Sequence, residues 1–127
     1  MKNTDCQPSE EELEKIQERL LSSNSFAKLA SFYSLFADAT RLSIICLLLN
    51  HQLCVNDIAK VLGLSQSRVS HQLAILRQHD IVTHYRKGKQ VLYALTDNHI
   101  KDLFRTGLEH TSEKDEELYK DRKKKEY

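Results

Sequence analysis

One proline and three glycines in 127 residues leave few places where a helix must break. With leucine, isoleucine, lysine and glutamate abundant, that scarcity favours a mainly helical chain. No apolar run approaches the roughly 18 residues of a membrane-spanning helix, so no membrane partner is expected. The N-terminus is polar and acidic and lacks the apolar stretch of a secretion signal. Three cysteines without paired spacing do not make a disulfide framework and fit the reducing cytoplasm. A glycine-rich phosphate loop, a nucleophile motif and HExxH are all missing, which leaves a metal-dependent enzyme as a remote alternative.

Charge is present but uneven. The net charge of +1 hides a basic stretch with Lys60, Arg68, Arg77, Arg86, Lys87 and Lys89, opposed by Asp80 alone. Such clustering is the electrostatic footprint of nucleic-acid binding. Hydrophobic residues make up 40% of the chain, enough for one globular domain. The reading is a disordered arm over 1–9, a DNA-binding and dimerisation domain over 10–113, and a charged tail over 114–127.

Helices are expected over 10–21, 25–36 and 38–49. The first carries Leu13, Ile16, Leu20 and Leu21 on one face, and the second offers Phe26, Leu29, Ala30, Tyr33 and Leu35 for burial. The third is strongly apolar, and Cys46 within it reads as a buried, inert thiol. A short helix follows over 53–62, capped by Asn56 or starting near Val55. Gly63-Leu64-Ser65 reads as a turn, and 66–79 as another helix with Val69, Leu73 and Leu76 inward. Helix, three-residue glycine turn, helix is the helix-turn-helix pattern. Ser65, Gln66, Ser67, Arg68, Ser70, His71 and Gln72 lie where a recognition helix meets base edges and phosphates, with Arg77 further along. An ordinary helical hairpin with a polar outer face is the plainer interpretation, and the basic clustering weighs against it. Strands over 81–86 and 90–95, with Lys87-Gly88-Lys89 at the tip, make a β-hairpin wing. Arg86, Lys87 and Lys89 would reach phosphates.

The final helix carries Asp97, His99, His110 and Glu113, in the spacing D-x-H-x10-H-x2-E. Taken singly these have ordinary explanations: a helix cap, and solvated surface. Both histidines leave the same side of the helix but stand roughly 16 Å apart at about 1.5 Å per residue, so one ion cannot touch both. His110 and Glu113 can share an ion. Asp97 and His99 can do so only if Asp97 lies outside the regular helix. An antiparallel second copy would bring the two half-sites together twice, each with two imidazoles and two carboxylates. That donor set suits tetrahedral zinc or cobalt.

From about Ser31 to Glu113 the chain resembles the ArsR/SmtB family of metal-responsive winged-helix repressors. The marks are FADATRLSIICLLL, QLCVNDIAKVLGLSQSRVSHQLAIL, YRKGKQVLYAL and DNH-x10-HTSE. The resemblance implies a winged helix-turn-helix homodimer on palindromic double-stranded operator DNA, released when metal binds. Its zinc-sensing branch uses the positions matching Asp97, His99, His110 and Glu113. Zinc is therefore expected, with cobalt able to substitute and nickel a further candidate. Thiolate-based members carry Cys-Val-Cys where this chain has Cys54-Val55-Asn56, so soft-metal sensing through that pair is not expected. Some zinc sensors hold a second site at the positions matching Cys54 and Asp57, with N-terminal ligands. Here Cys6 would serve, but no histidine lies near it. The alternative trigger is thiol chemistry or a soft metal at Cys54 or Cys46.

Overall fold

The computed structural model describes residues 7–112. Cys6, Glu113 and the tail beyond it lie outside the described residues, as does most of the N-terminal arm. The chain forms two compact units, one ending at Tyr33 and the other beginning at Ser34.

In the first unit α1 runs Glu10–Arg19 and α2 Ser23–Ser34, the last residue of α2 falling across the boundary. Ser9 caps α1, its Oγ accepting from the Glu12 N–H at 3.2 Å. Glu10, Glu11 and Glu12 fill the first turn, where negative charge meets the positive end of the helix dipole. Ser22 serves α2 in the same way, accepting from Ser25 N–H at 3.1 Å. Of the stripe expected on α1 only Leu13 and Ile16 lie on the helix, which ends at Arg19 with Leu20 as its extended C-cap and Leu21 beyond; all four are at least half open to solvent. Phe26, Leu29 and Tyr33 on α2 are exposed as well.

The second unit contains α3 (Ala39–Leu48), α4 (Val55–Leu62), α5 (Gln66–Gln78), β1 (Val82–Lys87), β2 (Gln90–Leu95) and α6 (Asn98–Ser112). Helix α3 is central and packs on α4, α5, α6 and β2. Ile44, Ile45 and Leu48 from α3, Ile58 from α4, Val69, Leu73 and Leu76 from α5, and Ile100 from α6 are buried together with Ile81, Val82 and Leu95. Cys46 is exposed rather than buried. The buried positions of α3 fall at i, i+1 and i+4, and Cys46 lies about 100° past that face.

The α4–α5 junction follows local chemistry. Gly63 adopts φ +67°, a left-handed conformation that a side chain resists, and Leu64 N–H reaches back to the Ala59 carbonyl at 3.0 Å. Ser65 then caps α5, its Oγ accepting from Arg68 N–H at 3.1 Å. Asp80 closes α5 at φ 60°, with Ile81 N–H on the Leu76 carbonyl at 2.9 Å. The next link matters for the site: Thr96 N–H donates to the Ile81 carbonyl at 3.0 Å, tying the approach to α6 to the segment that leaves α5.

Helix α4 starts at Val55, one of the two starts expected, and not at Leu53 or behind an Asn56 cap. Leu53 is extended, exchanging backbone bonds of 3.2 and 2.8 Å with Tyr93 on β2. Cys54 occupies the N-cap position without a side-chain cap bond, and Asn56 is already inside the helix. A partner 40 positions away outweighs local helix preference. The hairpin pairs Val82 with Leu95 through Lys87 with Gln90. Lys87 therefore belongs to the strand, and the loop is Gly88-Lys89, with Gly88 at φ +64°. Among the described residues no single helix is long and apolar enough to cross a membrane.

Candidate functional site

Asp97 lies just outside α6, as an ion shared with His99 requires. Its Oδ1 accepts from the backbone N–H groups of His99 at 3.0 Å and Ile100 at 3.4 Å, capping the helix. Its Oδ2 is left over and sits 3.5 Å from His99 Nδ1. The His99 side chain is 91% exposed, so it has no packing duty. His110 is exposed in the last turn of the same helix. Glu113 lies outside the described residues. Among the described residues no three metal-ligating side chains meet. Cys54 at the N-cap of α4 and Asp57 in its first turn are both half-buried, and Cys6 lies outside the described residues.

The helix-turn-helix surface is exposed at Ser65, Gln66, Ser67, Arg68, Ser70, His71 and Arg77. Several of these groups are already held. Gln66 Nε2 donates to Asn56 Oδ1 at 2.8 Å, which links α4 and α5 on the outer face. Arg68 Nη2 donates to Thr40 Oγ1 at 3.2 Å. Gln72 is half-buried, and its Oε1 accepts from Arg41 Nε at 2.9 Å. Arg77 Nη1 lies 2.6 Å from His84 Nε2 on β1. A guanidinium can only donate, so the imidazole accepts there, and Arg77 braces the wing against α5. Arg86, Lys87 and Lys89 are exposed on the hairpin with no such tie among the described residues. Thr40 and Arg41 carry no local signal of these roles, and Asn56 signals only a helix cap. Thr40 and Arg41 stand 28 and 31 positions from the residues they hold.

A recognition helix with a braced basic wing, followed by a helix with a ligand pair at its N-terminal end, can now be set beside known proteins. Residues 38–84 match the model of the arsR family of bacterial regulatory proteins. A transcriptional repressor SmtB homolog of Synechocystis is 38% identical over 105 residues, 83% of this chain and 80% of that one. The chain belongs to the ArsR family. A cadmium resistance transcriptional regulatory protein CadC homolog of Staphylococcus aureus is 34% identical over 66% of this chain and 70% of its own length. The solution structure of apo-NmtR superposes with a TM-score of 0.65 at 34% identity, covering 89% of this chain and 87% of that one. The protein is thus a DNA-binding transcriptional regulator with a winged helix-turn-helix fold, not an enzyme.

Proposed function

We propose that this ArsR-family protein is a homodimeric zinc-sensing repressor whose metal-free form binds a palindromic operator and whose metal-bound form leaves it. The observation that carries the reading is the divided carboxylate of Asp97, with one oxygen on the helix backbone and the other facing the His99 ring. His110 at the far end of α6, with Glu113 beyond it, would complete the site from a second copy lying antiparallel. Two imidazoles and two carboxylates suit zinc or cobalt, and nickel is a further candidate. The ion would supply a bridge between the two chains. The Synechocystis relative is a repressor and the Staphylococcus relative a cadmium resistance regulator, which supports repression with a metal trigger. The second metal site at Cys54 and Asp57 stays secondary, since the described residues supply only those two ligands.

A second copy is also what the exposed Leu13, Ile16, Leu20 and Leu21 ask for. Large apolar side chains clustered in water commonly mark an interaction surface. Metal at a dimer axis changes DNA affinity only if it prefers a dimer arrangement that fits DNA poorly. The backbone bond from Thr96 to Ile81 offers a direct mechanical link from Asp97 to the end of α5.

The deciding experiment is DNA binding by the metal-free protein, titrated with zinc, cobalt, nickel and cadmium. Release at one ion per site, with a tetrahedral cobalt spectrum free of strong sulfur-to-metal charge transfer, is expected. Binding unaffected by any of the four metals would overturn the reading. The wing gives a separate prediction. Lys87→Ala should weaken all duplexes alike and lower the slope of log affinity against log salt by about one. A change confined to sequence preference would show that the wing does not contact phosphate.

The exposure of Cys46 favours one second reading, a trigger through thiol chemistry. Thiol reagents acting on DNA affinity in a protein lacking the Asp97 carboxylate and both histidines would support it.

A further inference from the structure

We propose that Arg41, on the first turn of α3, is a positioning residue that decides which base edge Gln72 can read. This rests on the reading that α5 presents Gln72 to the major groove. The Asp38 carboxylate stands at the N-cap position of α3 yet makes no cap bond. It lies instead 3.5 Å from Arg41 Nε. The same Nε donates to Gln72 Oε1 at 2.9 Å across the gap between α3 and α5. The Arg41 side chain is only 22% exposed, so solvent does little to loosen the arrangement. Next to it, Thr40 Oγ1 accepts from Arg68 Nη2, so two successive residues of α3 hold two side chains of the recognition helix.

The chemistry of the contact fixes the orientation of the amide. Arginine has donors and no acceptor, so the end of Gln72 that meets it must be the oxygen. The end left to face outward is the NH2 group, which only donates. A glutamine reads adenine by a bidentate pair, its oxygen accepting from N6 while its nitrogen donates to N7. The bond to Arg41 uses only one of the oxygen's two lone pairs, but it turns the amide so that oxygen and nitrogen no longer face the groove side by side, and that pair is lost. What remains favours groove positions that offer acceptors, such as guanine N7 and O6. Arg41 thus sets specificity without touching DNA.

The test begins by selecting the preferred duplex from a randomised library with the full metal-free chain. Affinities are then measured for that duplex and its single-base-pair variants. Arg41→Met should raise the relative affinity for adenine at one position per half-site by roughly tenfold, the scale of one good bidentate pair. Other positions should keep their preferences, and the effect should vanish in a Gln72→Ala background. Arg41→Lys, which still donates, should keep the original preference. Gln72→Glu turns the outward atom into an acceptor and should move the preference at that position towards cytosine, whose N4 donates. This variant retains Arg41 and serves if Arg41→Met fails to give a cooperative melt.

A uniform fall in affinity over all duplexes in Arg41→Met would overturn the proposal and make Arg41 a phosphate contact. A change of preference that survives Gln72→Ala would also overturn it. If Gln72→Ala alone leaves every base preference untouched, the fault lies one step earlier, in the placement of Gln72 at the bases.

Discussion

Replacing His99 or His110 by alanine is expected to erase zinc-dependent release from DNA while leaving the affinity of the metal-free protein unchanged. The expectation follows from what those side chains do in the chain. His99 is almost fully exposed, and its one contact among the described residues is Asp97 Oδ2. His110 is exposed on the last turn of α6. Neither substitution opens a cavity or removes a helix cap, so the fold and the α5 surface should be untouched. Each would remove one of four ligands from both symmetric sites. Coupling free energies between sites are typically about 1–3 kcal/mol, or roughly 5- to 150-fold in affinity, and all of that should vanish. Fluorescence anisotropy of a labelled duplex, with and without zinc, measures it directly. A cobalt spectrum taken alongside should lose its tetrahedral bands in either variant. Full zinc-dependent release by His99→Ala would remove the final helix from the mechanism.

The largest effect on stability should come from Leu73→Ala. Leu73 is fully buried at the middle of α5, with Val69 and Leu76 on the same face. Truncating a buried leucine loses the transfer free energy of the removed atoms and leaves a cavity, together costing about 2–5 kcal/mol. Domains of this size hold about 5–15 kcal/mol in all, so much of the margin would go. The urea midpoint should fall accordingly while the slope of the transition stays the same. Ser70→Ala, one turn away on the exposed face, should move the midpoint little. Equal effects at the two positions would mean that α5 is packed differently.

Much of this was legible from local pattern, because local pattern is what sets it. The stripe of Val69, Leu73 and Leu76, the left-handed Gly63 and the capping Ser65 are decided within a few residues, and the helix-turn-helix follows from them. The candidate metal half-sites are legible only as spacing, and the position of Asp97 outside the first turn meets the geometric condition that spacing imposes. What could not be read was whatever depends on distant partners. Leu53 looks like the start of a helix until Tyr93 supplies two backbone bonds. Gln72 looks like a free reader until Arg41 takes its oxygen. Cys46 was misplaced for a different reason. Within so apolar a run, nearly every helical phase appears buried, and only the packing of Ile44, Ile45 and Leu48 settles which one is.

The two-stranded wing has a consequence for how the protein behaves at high concentration. On one side β1 pairs with β2, and among the described residues no strand covers its other side. Uncovered edges are templates on which passing strands assemble, and proteins commonly blunt them with charge. Here Arg86 and Lys87 stand at the end of β1, and every residue of that strand after Val82 is exposed. On β2 the backbone at Tyr93 is already occupied by Leu53. The cations assigned above to phosphate therefore also repel a second wing, so the hairpin that reaches for DNA resists sticking to its own kind.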